Sequence, residues 1–219
     1  FNNSWIQYPP PYKYSLKYKP NIILITHEHS DHLSLETLKE YNKNTPIYFP
    51  AFPNKRIEKI LKRLKFINLK KMYFGKKYNL YKKVYLTCFQ PISNFNDSIH
   101  LLEFDNFKLL NLNDAGVNYK IAKKVGSVDI ISSTFGSGAS GYPLCWKDIK
   151  KNKKEKILKN QYLARLNLLK NASKIYKAEY ILPFASYFAL INKEHEISNN
   201  LIFKYKILPS NIIKEIDIK

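Results

Sequence analysis

Thr26-His27-Glu28-His29-Ser30-Asp31-His32-Leu33 gathers three of the chain's five histidines into one short run that also carries two carboxylates. Imidazole nitrogen together with carboxylate oxygen suits zinc or iron, whereas calcium and magnesium favour oxygen donors. His27 and His29 are two apart, so extended backbone turns both rings to the same side. Asp31 and His32 then fall on the turn that enters the next helix. Four donors so close in sequence can line one small cavity. Asp31 alone could serve as a helix cap, but three histidines packed this tightly predict a metal site.

The elements that must position this run are short. Asn21 to Thr26 is an apolar, β-branched stretch that reads as a buried strand, and the histidines leave its C-terminal edge, where α/β sites commonly form. Ser34 to Tyr41 reads as a helix and Ile47-Tyr48-Phe49 as a strand. Ile57, Ile60, Leu61 and Leu64 recur at helical spacing with lysines between them. Val84 to Cys88, Ser98 to Phe104 and Lys108 to Leu112 read as strands, the last two joined by a turn at Asp105-Asn106. A short helix is expected over Tyr119 to Val125 and a buried strand over Val128 to Ser132. A long helix is expected at about 153–176, with Ile157, Tyr162, Leu166, Leu169 and Ile175 turned inward. Tyr180 to Leu182 reads as a strand ending at Pro183. The first twenty residues, with Pro9-Pro10-Pro11 and Pro20, read as an extended loop. This alternation predicts a single mixed α/β sandwich domain spanning 1–219.

Other residues could meet a substrate. The loop Ser137-Gly138-Ala139-Ser140-Gly141 can present backbone N–H groups to a phosphate or sugar, with Ser137, Gly138 and Ser140 as contacts. Tyr142, Tyr187 and Phe188 can pack on a sugar ring or simply fill the core. Arg165 is a candidate to neutralise a phosphate. His100 lies within a strand pattern and is expected to be structural.

The 219 residues carry a net charge of +20, 45% hydrophobic and 25% charged residues, a globular composition. Such a charge can attract an anionic small molecule, but the basic residues are spread along the chain and no nucleic-acid module is present. No membrane span is expected, since no run of eighteen apolar residues occurs. Cys88 and Cys145 form no paired motif, so a reducing, cytoplasmic setting with two buried structural thiols is expected.

The histidine run matches the His-x-His-x-Asp-His signature of the metallo-β-lactamase superfamily, which implies that superfamily's αββα sandwich. Leu109-Leu110-Asn111-Leu112-Asn113-Asp114 resembles the strand that ends in the superfamily's bridging aspartate, which implies Asp114 as a further ligand. Ser137 to Pro143, Pro183-Phe184-Ala185-Ser186-Tyr187-Phe188 and the helical stretch Gln161 to Leu166 resemble the CMP-N-acetylneuraminate hydroxylase family and its bacterial relatives, in their C-terminal metal domain. The resemblance runs from about Trp5 to Asn200. Asn3-Ser4-Trp5 followed by prolines is similar to the family's segment after its first strands, which implies a chain that begins inside the domain. Members often carry a separate Rieske [2Fe–2S] domain that feeds electrons to the metal for oxygen-dependent hydroxylation.

Three departures matter. The chain has no Rieske ligand set, so that cluster would lie on a domain or protein outside it. Gln90 stands where the family's third histidine is expected. Asn192 aligns with the late histidine, and His195, three residues on, serves only if the loop shifts. Gln and Asn are poor substitutes for imidazole on zinc. His27, His29 and Asp114 remain, and on one metal they make the two-histidine, one-carboxylate set of non-haem iron oxygenases. Iron is therefore favoured and zinc is the alternative. The leading expectation is a hydroxylase-like domain acting on an anionic sugar or nucleotide sugar. The second is a metallohydrolase of a phosphodiester, phospholipid or lactone, with Asp31 or Asp114 orienting a metal-bound water. The third is a degenerate metal-binding domain.

Overall fold

Side chains alternate across a strand, and that alternation builds the layers around the histidine run. The computed structural model describes residues 19–92, 95–135, 142–185, 189–190, 196–205, 210, 212, 214 and 216. The chain divides into two units, Phe1–Asn106 and Phe107–Lys219.

In the first unit, β1 (Ile23–Leu24), β2 (Ile47–Pro50) and β3 (Leu69–Met72) form a parallel sheet in that order, with Ile23 opposite Ile47 and Ile47 opposite Leu69. Ile23, Ile25, Ile47 and Phe49 face one way. They pack with Leu38 of α1 (Leu35–Lys39) and with Ile57 and Leu61 of α2 (Arg56–Arg63). Leu24, Tyr48 and Met72 face the other way. They pack with Leu80, Leu86, Cys88 and Leu102 of the antiparallel strands β4 (Lys77–Tyr81), β5 (Val84–Phe89) and β6 (Ile99–Phe104). The unit is thus layered as helix, sheet and sheet. Each fully buried Leu or Ile of these cores contributes about 1.5–3 kcal/mol.

In the second unit, β7 (Phe107–Asn113), β8 (Ile130–Thr134) and β9 (Tyr180–Phe184) pair in parallel. α3 (Tyr119–Val125) is capped by Asn118, whose Oδ1 accepts from the Lys120 and Ile121 N–H groups. α4 (Lys151–Ile175) and α5 (Glu196–Lys204) complete the unit's helices of eight or more residues among those described. Leu166 and Leu169 of α4 pack with Phe135, Ile212 and Ile216, while Leu158 packs with Leu144, Leu201 and Ile202.

The differences from the sequence reading have local causes. β3 was not expected, because Lys70 and Lys71 are exposed between Leu69 and buried Met72. β4 does alternate, with Tyr78 and Leu80 half-buried, but Lys77 and Asn79 are residues that strands disfavour. β1 is shorter than Asn21–Thr26 and β8 starts later than Val128. β9 continues through Pro183 rather than ending there, which an end position in the order β7-β8-β9 permits on its unpaired side. On α4, Leu158 and Ala172 are buried while Ile157 and Ile175 are half-buried, so the inward stripe is rotated slightly from the expected one. Cys88 is buried as expected, but Cys145 is exposed.

Candidate metal centre

β1 ends at Leu24, Ile25 anchors the apolar core, and the chain runs on to His27. The Leu33 N–H donates to the His29 carbonyl at 2.8 Å and the His32 N–H donates to it at 3.0 Å, closing a tight turn over residues 29–33. Ser34 then caps α1, its Oγ accepting from the Thr37 N–H at 3.3 Å. A strand end, a turn and a capped helix therefore fix the run from both sides.

His27 is 1% exposed and His29 is exposed. Their rings meet edge-on, and His27 Nε2 lies 2.8 Å from His29 Nδ1. Two nitrogens can approach so closely when one donates to the other, or when both lone pairs converge on a cation. The His32 ring lies 4.1 Å from that of His27, centre to centre, and His32 Nε2 is 3.4 Å from Asp31 Oδ2. The donors fall into two pairs, an inner one of His27 and His29 and an outer one of Asp31 and His32. Both pairs belong to groups of His and Asp side chains able to hold a metal ion. The inner donors fit zinc or ferrous iron, being imidazoles within one turn of each other.

Sequence reasoning missed what lies behind the inner pair. Asp97, just before β6, is 6% exposed, and its Oδ1 lies 3.3 Å from His27 Nδ1. Thr26 Oγ1 lies 3.1 Å from the same nitrogen. The neighbouring Ser98 hydroxyl donates to the Thr26 carbonyl at 2.7 Å and lies 3.0 Å from His100 Nε2. Burial holds His100 neutral, its pKa pushed down to about 4, so Nε2–H can donate to Ser98. The structural role expected of His100 fits this arrangement. Burial pushes the Cys88 thiol up to about 12, which leaves it unreactive. The available signal was a carboxylate and a hydroxyl side by side at the start of a buried strand. Glu28, between the histidines, is turned to Arg56 at 3.0 Å and Asn54 at 3.4 Å.

The remaining candidates are placed as follows. Asp114 is exposed in the turn that follows β7. A register shift lets Asn111 and Asn113 oppose the adjacent Ser132 and Ser133, and Asn113 takes φ +54°. Such bulges re-aim the residues that follow. Gly116 follows at φ +69°, a backbone region that favours glycine. Gln90 is exposed directly after β5. Tyr142 is exposed and meets Trp146 edge-on at 5.4 Å. Ser137, Gly138, Ser140, Tyr187, Asn192 and His195 lie outside the described residues.

The YhfI protein of Bacillus subtilis, described as a metallo-β-lactamase fold protein, superposes with a TM-score of 0.54 over 89% of this chain and 69% of its own, at 12% identity. The chain carries the metallo-β-lactamase fold. An E377D mutant of the CmlA β-hydroxylase superposes on this chain with a TM-score of 0.59, over 83% of the chain and 40% of CmlA, at 16% identity. No family model matches. By sequence, the chain is 28% identical over 204 residues to the cytidine monophosphate-N-acetylneuraminic acid hydroxylase of Asterias rubens. That match takes in 84% of this chain but 29% of the sea-star protein, so the chain spans under a third of that relative. A hydroxylase by sequence and a metallo-β-lactamase fold protein by structure are thus similar to a chain whose histidine run contributes to groups of side chains that could hold a metal ion. No helix among the described residues is long and apolar enough to cross a membrane.

Proposed function

We propose that this chain is the metal-bearing catalytic domain, running through 1–219, of a longer hydroxylase that oxidises an anionic sugar nucleotide. The observation that carries this reading is the inner pair, with His27 Nε2 and His29 Nδ1 2.8 Å apart at the end of a buried strand. The hydroxylase relative of similar sequence supports it. His27, His29 and the carboxylate of Asp114 are the proposed ligands of an iron ion, and Gln90, Asn192 and His195 are weaker candidates. Ferrous iron held by two imidazoles and a carboxylate supplies dioxygen chemistry. His27 is fixed by its buried surroundings and orients the inner pair. Asp31, exposed, and His32 beside it stand ready to hold or pass a proton. The proposed substrate contacts are Ser137, Gly138, Ser140, Tyr142 and Tyr187, and the chain's +20 charge draws an anionic substrate inward. Electrons come from a Rieske [2Fe–2S] cluster on another domain or protein, in a reducing cytoplasm.

One observation favours a second reading. Asp31 and His32 make a second donor pair, as a two-metal hydrolase of a phosphodiester, phospholipid or lactone requires. Anaerobic metal analysis, followed by assay of the full chain with CMP-N-acetylneuraminate, dioxygen and a reductant, separates the two. A single iron with oxygen- and reductant-dependent hydroxylation is expected. Two tightly held zincs, with phosphodiester cleavage that needs no reductant, would transfer the assignment to the hydrolase.

A further inference from the structure

We infer that Asp97 is a positioning residue that sets the tautomer of His27 and thereby decides whether the inner pair can take a metal; this rests on the metal-site reading above. His27 has two ring nitrogens and, when neutral, one proton to place. Nε2 faces His29 Nδ1 at 2.8 Å, so it must keep its lone pair free to ligate. The proton must then sit on Nδ1.

Thr26 and Asp97 compete for Nδ1. Thr26 Oγ1, at 3.1 Å, can donate to it, and that arrangement would leave the ring proton on Nε2, aimed at His29. Asp97 Oδ1, at 3.3 Å, can only accept when ionised, and so it favours Nδ1–H. With Nδ1 protonated, the Thr26 hydroxyl turns its lone pair to the same hydrogen. Both the imidazole and the carboxylate are buried, at 1% and 6% exposure, where water competes little for either. Carboxylate partners of this kind orient metal-binding histidines and raise their basicity.

Asp97 is itself held in place. Its Oδ1 accepts from the Ser98 N–H at 2.7 Å, and the Ser98 hydroxyl donates to the Thr26 carbonyl at 2.7 Å. Two consecutive residues therefore grip two consecutive residues. Ser98 sets the path of the backbone entering the histidine run, and Asp97 sets the ring's proton.

The test uses the full chain, with zinc as the metal probe and imidazole nitrogen NMR as the second readout. In metal-free protein His27 should appear as the Nδ1–H tautomer. Asp97→Ala should shift it toward Nε2–H and weaken zinc binding, by chelator competition, about 10- to 100-fold. Asp97→Asn keeps an acceptor oxygen and the Ser98 contact, so it should fold normally and recover most of the affinity. A folded Asp97→Ala protein with unchanged zinc affinity overturns the proposal, as does an Nε2–H His27 in the unaltered chain. Failure of the unaltered chain to bind zinc would count against the metal site itself, and the metal-free spectrum would still decide the role of Asp97.

Discussion

The inner and outer pairs of donors differ in how much protein stands behind them. His27 is 1% exposed and backed by Thr26 and Asp97, with Ser98 and His100 tying that backing to β6. Asp31 and His32 sit on the turn, with side chains 59% and 14% exposed, and contact each other at 3.4 Å. A ligand locked before the metal arrives loses little freedom on binding, whereas an exposed carboxylate must be ordered at that moment. His27 is therefore a prepared ligand and Asp31 an adaptable one.

The widest consequence is an unequal response to deletion. His27→Ala should weaken zinc or iron binding by more than roughly 100-fold, beyond the range for outer partners. Asp31→Ala should cost less, because its side chain is solvated in the metal-free protein. Asp114→Ala tests the proposed third ligand and should fall between the two. Equal losses for His27→Ala and Asp31→Ala, measured by chelator competition, would erase the distinction between the pairs.

The backing of the inner pair should also be visible in stability. Ser98→Ala deprives the Thr26 carbonyl and His100 Nε2–H of partners in a buried setting, at a cost of about 1–3 kcal/mol for each group left unmet. His100 adds a pH dependence whose sign follows from its pKa. Burial lowers it from 6.5 to about 4, so between those values the unfolded chain takes up a proton that the folded chain refuses. The contribution is present above pH 6.5 and is lost as pH falls toward 4, roughly 3 kcal/mol in all at 1.36 kcal/mol per unit. Denaturant unfolding at several pH values should show this slope, and His100→Phe should flatten it. An unchanged slope would assign the acid sensitivity elsewhere.

The two pairs also differ in how they were legible. The histidine run could be read because its chemistry is local: donor types, their spacing and the strand before them all lie within a dozen residues. The turn over 29–33 and the helix after Ser34 followed from the same local logic. Asp97 could not be read that way, since its meaning depends on β6 lying across the end of β1, a pairing of residues about seventy positions apart. β3 was hidden for a related reason, because Lys70 and Lys71 are tolerated only where β2 supplies the backbone partners. Cys145 was misjudged because burial was assigned from residue type alone, and it is exposed.

The smallest effect concerns Glu28, the one carboxylate within the run that sits between the two inner histidines. Glu28 lies in the bend between them and turns to the residues at the start of α2. Arg56 Nη1 meets its Oε1 at 3.0 Å and Asn54 meets its Oε2 at 3.4 Å. The Arg56 side chain is 67% exposed, and an ion pair so open to water contributes only about 0–1 kcal/mol. Arg56→Gln should therefore change unfolding free energy by less than about 1 kcal/mol and leave zinc affinity nearly unaltered. A large fall in zinc affinity would mean that Glu28, released from Arg56, swings toward the imidazoles or lets the loop open. The inner pair would then owe its rigidity to the loop's outer surface as much as to Asp97 and Ser98.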